Sequence, residues 1–340
     1  MLWRLPLGKR PTTWPPMEDA ARARYPALRP RLDDLDAILR DAFLAYDGDA
    51  LALQRTHRQF QLALIISAAL TSAFGALQAA VDAAWTGIAV ALVGLFATAV
   101  GNRQRRRAPL KRYLTERAKA EELRSLYFRY LAGLDGWDAR RLEAEVAAIS
   151  HPLPPPPLAA PPPSPPSPAA QPEDGADPAT DDETTATADF LDAYDAHRLN
   201  GQFKWYGARI AEYDRAANQT GIVNEALLLV AAACGLVGAA MSSWTVWLGF
   251  VAALLAVVAA AVASWADVVG FAANAELYRA AQAGLAHLRP RRPDAAAATS
   301  ADVAAYLDNV EDILLGEVRT WSERWGRAAD APQDTDGTVG

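Results

Sequence analysis

A single cysteine, Cys234, in 340 residues leaves no internal disulfide framework, and its place within an apolar block marks it as a small hydrophobe. Histidine is nearly as scarce: His57, His151, His197 and His287 are scattered without the Cys/His/Asp spacing of a metal site. No Gly-rich loop ends in Lys-Ser/Thr, no Gly-x-Ser-x-Gly occurs, and no Gly-x-Gly-x-x-Gly follows a strand pattern. These absences remove the usual machinery of hydrolases, nucleotide-binding enzymes and metalloenzymes, so no catalytic residue, metal or cofactor is expected. The opening Met1-Leu2-Trp3-Arg4 runs into Lys9, Arg10 and prolines without a sustained apolar stretch, so no cleavable targeting signal is expected either.

What the chain does have is apolar sequence in blocks. Hydrophobic residues make up 51% of it, yet the mean hydropathy is only -0.02, because charged and Pro-rich stretches offset the blocks. Four blocks stand out, at 62–81, 83–101, 222–241 and 244–266. At 1.5 Å rise per residue, about 20 apolar residues cross the roughly 30 Å hydrocarbon core of a bilayer. Only Asp82 separates the first pair and only Ser242-Ser243 the second, so each pair forms a hairpin with almost no external loop. A soluble α protein can bury one such helix, but four would need more amphipathic sequence around them than this chain offers. The expected fold is an all-α integral membrane protein, with two transmembrane hairpins carrying helical extensions.

Charge sets the expected orientation. Arg55 and Arg58 precede the first hairpin, and Arg103, Arg105, Arg106, Arg107, Lys111 and Arg112 follow it, whereas its turn carries no positive charge. Lys204, Arg209, Arg215 and Arg279 flank the second hairpin in the same sense. Both termini are therefore expected in the cytoplasm of a cell whose inner (plasma) membrane holds the chain. The basic run beside a span serves topology and lipid headgroups; with 40 acidic against 33 basic residues, a nucleic-acid partner is not expected.

The segments outside the membrane are helical by pattern. Leu32, Leu35, Leu39, Phe43 and Tyr46 form a stripe before the first hairpin, and Tyr113, Leu123, Leu126, Tyr127, Tyr130, Leu131 and Leu134 form one after it. Phe203, Tyr206, Ile210, Tyr213 and Ala217, then Phe271, Ala275, Tyr278, Leu285 and Leu288, repeat the plan around the second, at a spacing suited to helix pairing. The expected domains are an N-terminal tail at 1–30, a first hairpin module at 31–149, a Pro-rich then acidic disordered linker at 150–188, and a second module at 189–290. A C-terminal amphipathic helix follows at 300–328, then a tail at 329–340. Thr299 to Asp302 resembles a capping box for that last helix, whose face carries Val303, Leu307, Val310, Leu314, Trp321 and Trp325. Packing against the stalk of its own half is the simplest role for it; a partner protein or the headgroup layer are the alternatives.

Polar residues near the spans are the candidates for function. Gln78 lies late in the first span, and Asn224 and Glu225 enter the third, which makes them candidate pore-facing residues. A carboxylate in the hydrocarbon must face a helix interface or water; Glu225 is also close enough to its helix end to sit among headgroups, favoured by the helix dipole. Small residues recur every four positions at Ala68, Ser72 and Ala76, at Ala231, Gly235 and Ala239, and along Ala252, Ala256, Ala260 and Ser264. Such faces let helices approach closely, between hairpins or between chains, and support a homo-oligomer in the bilayer.

The layout of a short two-helix hairpin flanked by helices resembles the SLATT family, the SMODS- and SLOG-associating two-transmembrane effectors. The resemblance is carried by stretches such as Arg117-Ala118-Lys119-Ala120-Glu121-Glu122-Leu123-Arg124-Ser125-Leu126-Tyr127-Phe128-Arg129-Tyr130 and Lys204-Trp205-Tyr206-Gly207-Ala208-Arg209 with Tyr213. It covers roughly 37–134 and 189–288, as two diverged tandem copies, and leaves the final helix outside. It implies a membrane effector of bacterial conflict and anti-phage systems that oligomerises and forms a pore, or disrupts the membrane, on a nucleotide-linked signal from a synthase or sensor encoded nearby. The alternative is a non-catalytic membrane scaffold that presents helical stalks to a partner.

Overall fold

The computed structural model describes residues 14, 16, 17, 19–81, 83–134, 136–151 and 181–330, apart from the side chains of 19, 181–183, 317, 318, 321, 322 and 324–330. Among the described residues there is no strand. The helices are α1 (Asp19–Arg22), α2 (Arg29–Ile38), α3 (Arg40–Val81), α4 (Ala84–Arg107), α5 (Pro109–Ala132), α6 (Ala139–Ser150), α7 (Asp181–Tyr194), α8 (Asn200–Ala240), α9 (Thr245–Val269), α10 (Phe271–Leu288) and α11 (Ser300–Asp330). Four of them are long and apolar enough to cross a membrane, and this is a multi-pass membrane protein.

In each half one helix runs unbroken from a polar body into the membrane: α3 for 42 residues and α8 for 41. Neither contains proline, so its hydrogen-bond ladder continues past the point where the surroundings change from water to lipid. The returning spans end in the same way. α4 stops at Ala108 and α9 at Gly270, both in left-handed backbone (φ 39° and 67°), and each donates its N–H to the carbonyl four residues back. A new helix starts immediately, and Pro109 opens α5 where its missing N–H costs nothing. Glycine takes this conformation freely, whereas an L-residue such as Ala108 pays roughly 1 kcal/mol. This shared break argues for two copies of one plan more strongly than any sequence echo between the halves.

The spans pack in a row, α4 on α3, α3 on α9 and α9 on α8, so that α4 and α8 form its two ends. Hairpin contacts are close: Gly238 leaves room for Leu248 and Thr245, and the Thr245 hydroxyl donates to the Gly238 carbonyl at 2.7 Å. At the other tip the Thr86 hydroxyl, fully buried, donates to the Ala83 carbonyl at 2.6 Å.

Below the spans lies one body built from both halves. The predicted stripe Leu32, Leu35, Leu39 and Phe43 is buried, as are Leu123, Leu126, Tyr127, Tyr130 and Leu131 of α5. They share a single core with Leu285 and Leu288 of α10 and with Val303, Leu307, Val310 and Leu314 of α11. The body differs from expectation in three places. Part of the tail expected at 1–30 belongs to the core: Met17 and Leu28 are fully buried, and the Trp14 ring meets Phe43 and Tyr127. The linker expected at 150–188 gives way to α7 from Asp181, because Phe190, Leu191, Ala193 and Tyr194 supply a buried face that its acidic start conceals; residues 152–180 lie outside the described residues. Finally, α11 packs on α5 of the first half as well as on α10 of its own. Its capping box forms as expected, with the Asp302 N–H donating to Thr299 Oγ1 at 3.2 Å and the Thr299 N–H to Asp302 Oδ2 at 3.0 Å. The expected face residues Trp321 and Trp325 have side chains outside the described set.

Candidate functional site

The two halves are joined by buried charge. Between α7 and α8 the helix widens into a π-turn at Asp195–Leu199, a local irregularity that often marks function. It buries two consecutive residues, Arg198 and Leu199. Arg198 grips Glu311 of α11 with two bonds, Nε to Oε1 at 2.8 Å and Nη2 to Oε2 at 2.6 Å, and both side chains are buried. The Tyr194 hydroxyl donates to the same carboxylate at 3.0 Å. Phe128 of α5 lies beneath the guanidinium, 5.6 Å from its centre.

The remaining nitrogen of Arg198 reaches across to the first half. Its Nη1 makes no hydrogen bond but stands 3.9 Å from Glu121 Oε2 on α5. Glu121 is itself held by Arg117 at 2.5 Å and Arg124 at 2.6 Å, and Arg117 continues to Asp47 of α3 at 3.2 Å. A chain of alternating charge thus runs from α3 through α5 to the π-turn and α11. A second, more exposed set flanks it: the Tyr306 hydroxyl donates to Asp195 at 2.9 Å, Arg292 pairs with Asp192 and Asp195, and Arg129 of α5 meets Asp308 of α11 at 2.6 Å.

Burial tunes these groups. It would raise the Glu121 carboxyl, but Arg117, Arg124 and Arg198 together outweigh it and hold the pKa at about 2. Burial and then Glu311 push the Tyr194 phenol well above its ordinary value, and burial raises Asp195 despite its tyrosine and arginine partners. Arg198, against the cost of burial, is driven further toward its charged form by Glu311. Because the folded pKa of Glu121 lies below that of a free glutamate, its share of stability is complete above about pH 4.5. That share is lost as pH falls toward 2. A pH series of thermal midpoints should fall through this window, and Glu121→Gln should flatten the fall; equal curves for both proteins would refute the assignment.

The membrane candidates fall in different places. Gln78 is exposed near the tip of the first hairpin, beside Gly87. Asn224 is half-buried and Glu225 exposed, both toward the body end of α8. Gln78 lies three residues before the end of α3 and Asn224 sixteen before the end of α8. They are about 20 Å apart in depth and do not converge on one constriction. Asn224 instead lines a cavity of about 510 Å³ with Thr220, Asp267 and Phe271. Arg103, Arg105, Arg106, Arg107, Lys111 and Arg112 are all exposed at the body end of the first hairpin.

Of the small-residue faces, Ala231 is buried in the row, whereas Ala68, Ser72, Gly235 and Ala239 are exposed and Ala76 is half-buried. Ser67 of α3 and Ala259 of α9, outside those faces, are buried. In helices this rich in alanine, small residues recur on several faces at once and do not set the phase. The buried charges escaped sequence reading for a related reason. Arg198 and Glu311 are ordinary helical polar residues until folding places them 113 positions apart in one core; their only local signal is the apolar company of Tyr194, Leu199, Val310 and Leu314.

Comparison with known families follows the same division. Residues 194–321 match the model described as SMODS and SLOG-associating 2TM effector domain 1, and residues 41–140 match one described as a protein of unknown function, DUF4231. No curated protein and no solved structure matches. The first match extends through most of α11, beyond the 189–288 of the sequence resemblance, in keeping with the place of α11 in the core. Each matched stretch encloses one hairpin, its left-handed break and its lead-out helix, so the second half carries a SLATT-type effector domain and the first half a DUF4231 domain of the same plan, consistent with the SLATT family in two diverged copies.

Proposed function

We propose that this chain is a membrane effector of a bacterial conflict system. Its termini lie in the cytoplasm, and it oligomerises in the inner membrane and opens a leak when a nucleotide-linked signal reaches the body through a partner. The observation that carries this reading is continuity. α3 and α8 run without a break from a body locked by Arg198, Glu121 and Glu311 into the two hairpins. A packed body with two discrete arrangements passes a shift to rigid helices rather than absorbing it. The family description supports an effector role and two-span architecture. No catalytic step is required, since a leak of ions is itself the output.

The test is membrane potential, followed with a voltage-sensitive dye in bacteria expressing the full chain, alone and with neighbouring genes. Depolarisation should follow expression with the partner and should vanish when either 62–101 or 222–266 is removed. A normal potential under every combination, with the protein confirmed in the membrane, would overturn the leak and leave the hairpins as anchors of a scaffold.

A further inference from the structure

The row of spans has two ends, and they differ in charge toward the body side of the membrane. At the α4 end the lipid-facing surface runs through Ile88, Leu92 and Leu95, the last 68% exposed, and continues at helical spacing into the exposed Arg103 and Arg106. At the α8 end, Ile222, Leu229 and Leu236 form the corresponding ridge, the latter two 71% and 75% exposed, and Glu225 stands on the same face. Counted from the hairpin tips, Glu225 lies fifteen residues from Ala240 and Arg103 nineteen from Ala84. These positions are about 22 and 28 Å deep, a difference that the two side chains close, because each leans toward its own helix N-terminus and α4 and α8 run in opposite directions.

Glu225 therefore faces lipid inside the roughly 30 Å hydrocarbon layer. No hydrogen bond or ion pair to it occurs among the described residues. A carboxylate in that position is costly until a cation reaches it. Arg103 and Arg106 of the same chain sit at the far end of the row, beyond α3 and α9. The corresponding arginines of a neighbouring copy face no such barrier.

We propose that a second copy of this chain docks head to tail, its α4 end against the α8 end of the first, with Arg103 and Arg106 of one copy pairing Glu225 of the next. The inference rests on the oligomeric reading above and specifies its interface. Pairing like ends would bring Glu225 against Glu225, or arginines against arginines, where lipid screens them least. The opposite ends attract. Such a contact is heterologous, so it repeats from copy to copy and closes into a ring or extends as an array.

The experiment uses the full chain in vesicles, with Cys234→Ala as background. Leu92→Cys and Ala232→Cys stand on the two ridges at equal depth, about 12 Å from the tips. Oxidation should yield a crosslinked ladder from the double-cysteine chain, a heterodimer from a mixture of the two single-cysteine chains, and no self-crosslinking of either alone. Glu225→Arg should reduce the ladder at least tenfold, and adding Arg103→Glu with Arg106→Glu should restore it, which separates charge pairing from misfolding. Self-crosslinking of a single-cysteine chain, or a ladder indifferent to Glu225→Arg, would overturn this interface while leaving assembly intact. Single photobleaching steps from the labelled native chain would show a monomer and remove the oligomeric reading together with this interface.

Discussion

Replacing Arg198 by methionine should lower the stability of the body by about 3–5 kcal/mol, seen as a fall in thermal midpoint followed by tryptophan fluorescence in detergent. The size comes from what is left behind. Glu311 is fully buried and takes both its charged bonds from Arg198, so the substitution strands a carboxylate with only the Tyr194 hydroxyl as donor. Glu121 loses the third of the cations that hold it ionised. Removing Glu311 as well should reverse most of the effect: the Arg198→Met, Glu311→Leu double variant should approach the native midpoint, because two apolar side chains of similar size can replace a buried pair at little net cost. A neutral single variant would mean that the pair is not buried as described. A double variant as unstable as the single would mean that packing, rather than charge, dominates the site.

Phe128→Ala should cost a similar amount, about 3–5 kcal/mol, through a cavity at the seam between the modules. Phe128 belongs to α5 of the first half, is fully buried, and meets Tyr127 edge to face at 5.0 Å. Its other ring partner, Tyr194 at 5.4 Å, and the Arg198 guanidinium above it come from the second half. Truncation therefore loosens the contact between halves rather than the core of one of them. Combined with Arg198→Met it should give less than the sum of the two losses, since both act on one packed unit. An additive result would show that aromatic and ionic contacts hold the halves together independently.

Much of the architecture is legible along the chain because the bilayer imposes a length and a polarity that few other structures need. The blocks at 62–81, 83–101, 222–241 and 244–266 show it, as do the stripes Leu32-Leu35-Leu39-Phe43 and Val303-Leu307-Val310-Leu314, where local periodicity matches the face that is buried. The capping box at Thr299 is legible for the same reason, since both its partners lie within one turn. α7 is not, because its acidic first turns resemble linker and its buried face appears only from Phe190. Nor is the buried charge: Arg198 satisfies no local rule, and its partners Glu121 and Glu311 lie 77 and 113 positions away.

The sequence by itself determined that the chain spans a membrane as two short hairpins with helical extensions. Composition and period act locally, and apolar length alone decides whether a helix crosses lipid. Tertiary structure decided that the extensions form one body rather than two stalks, and that Arg198, Glu121 and Glu311 meet within it. It also decided that Glu225 and the α4 arginines stand at opposite ends of one row. Each of these depends on which helices become neighbours, and that is settled by side-chain packing between segments far apart in the chain.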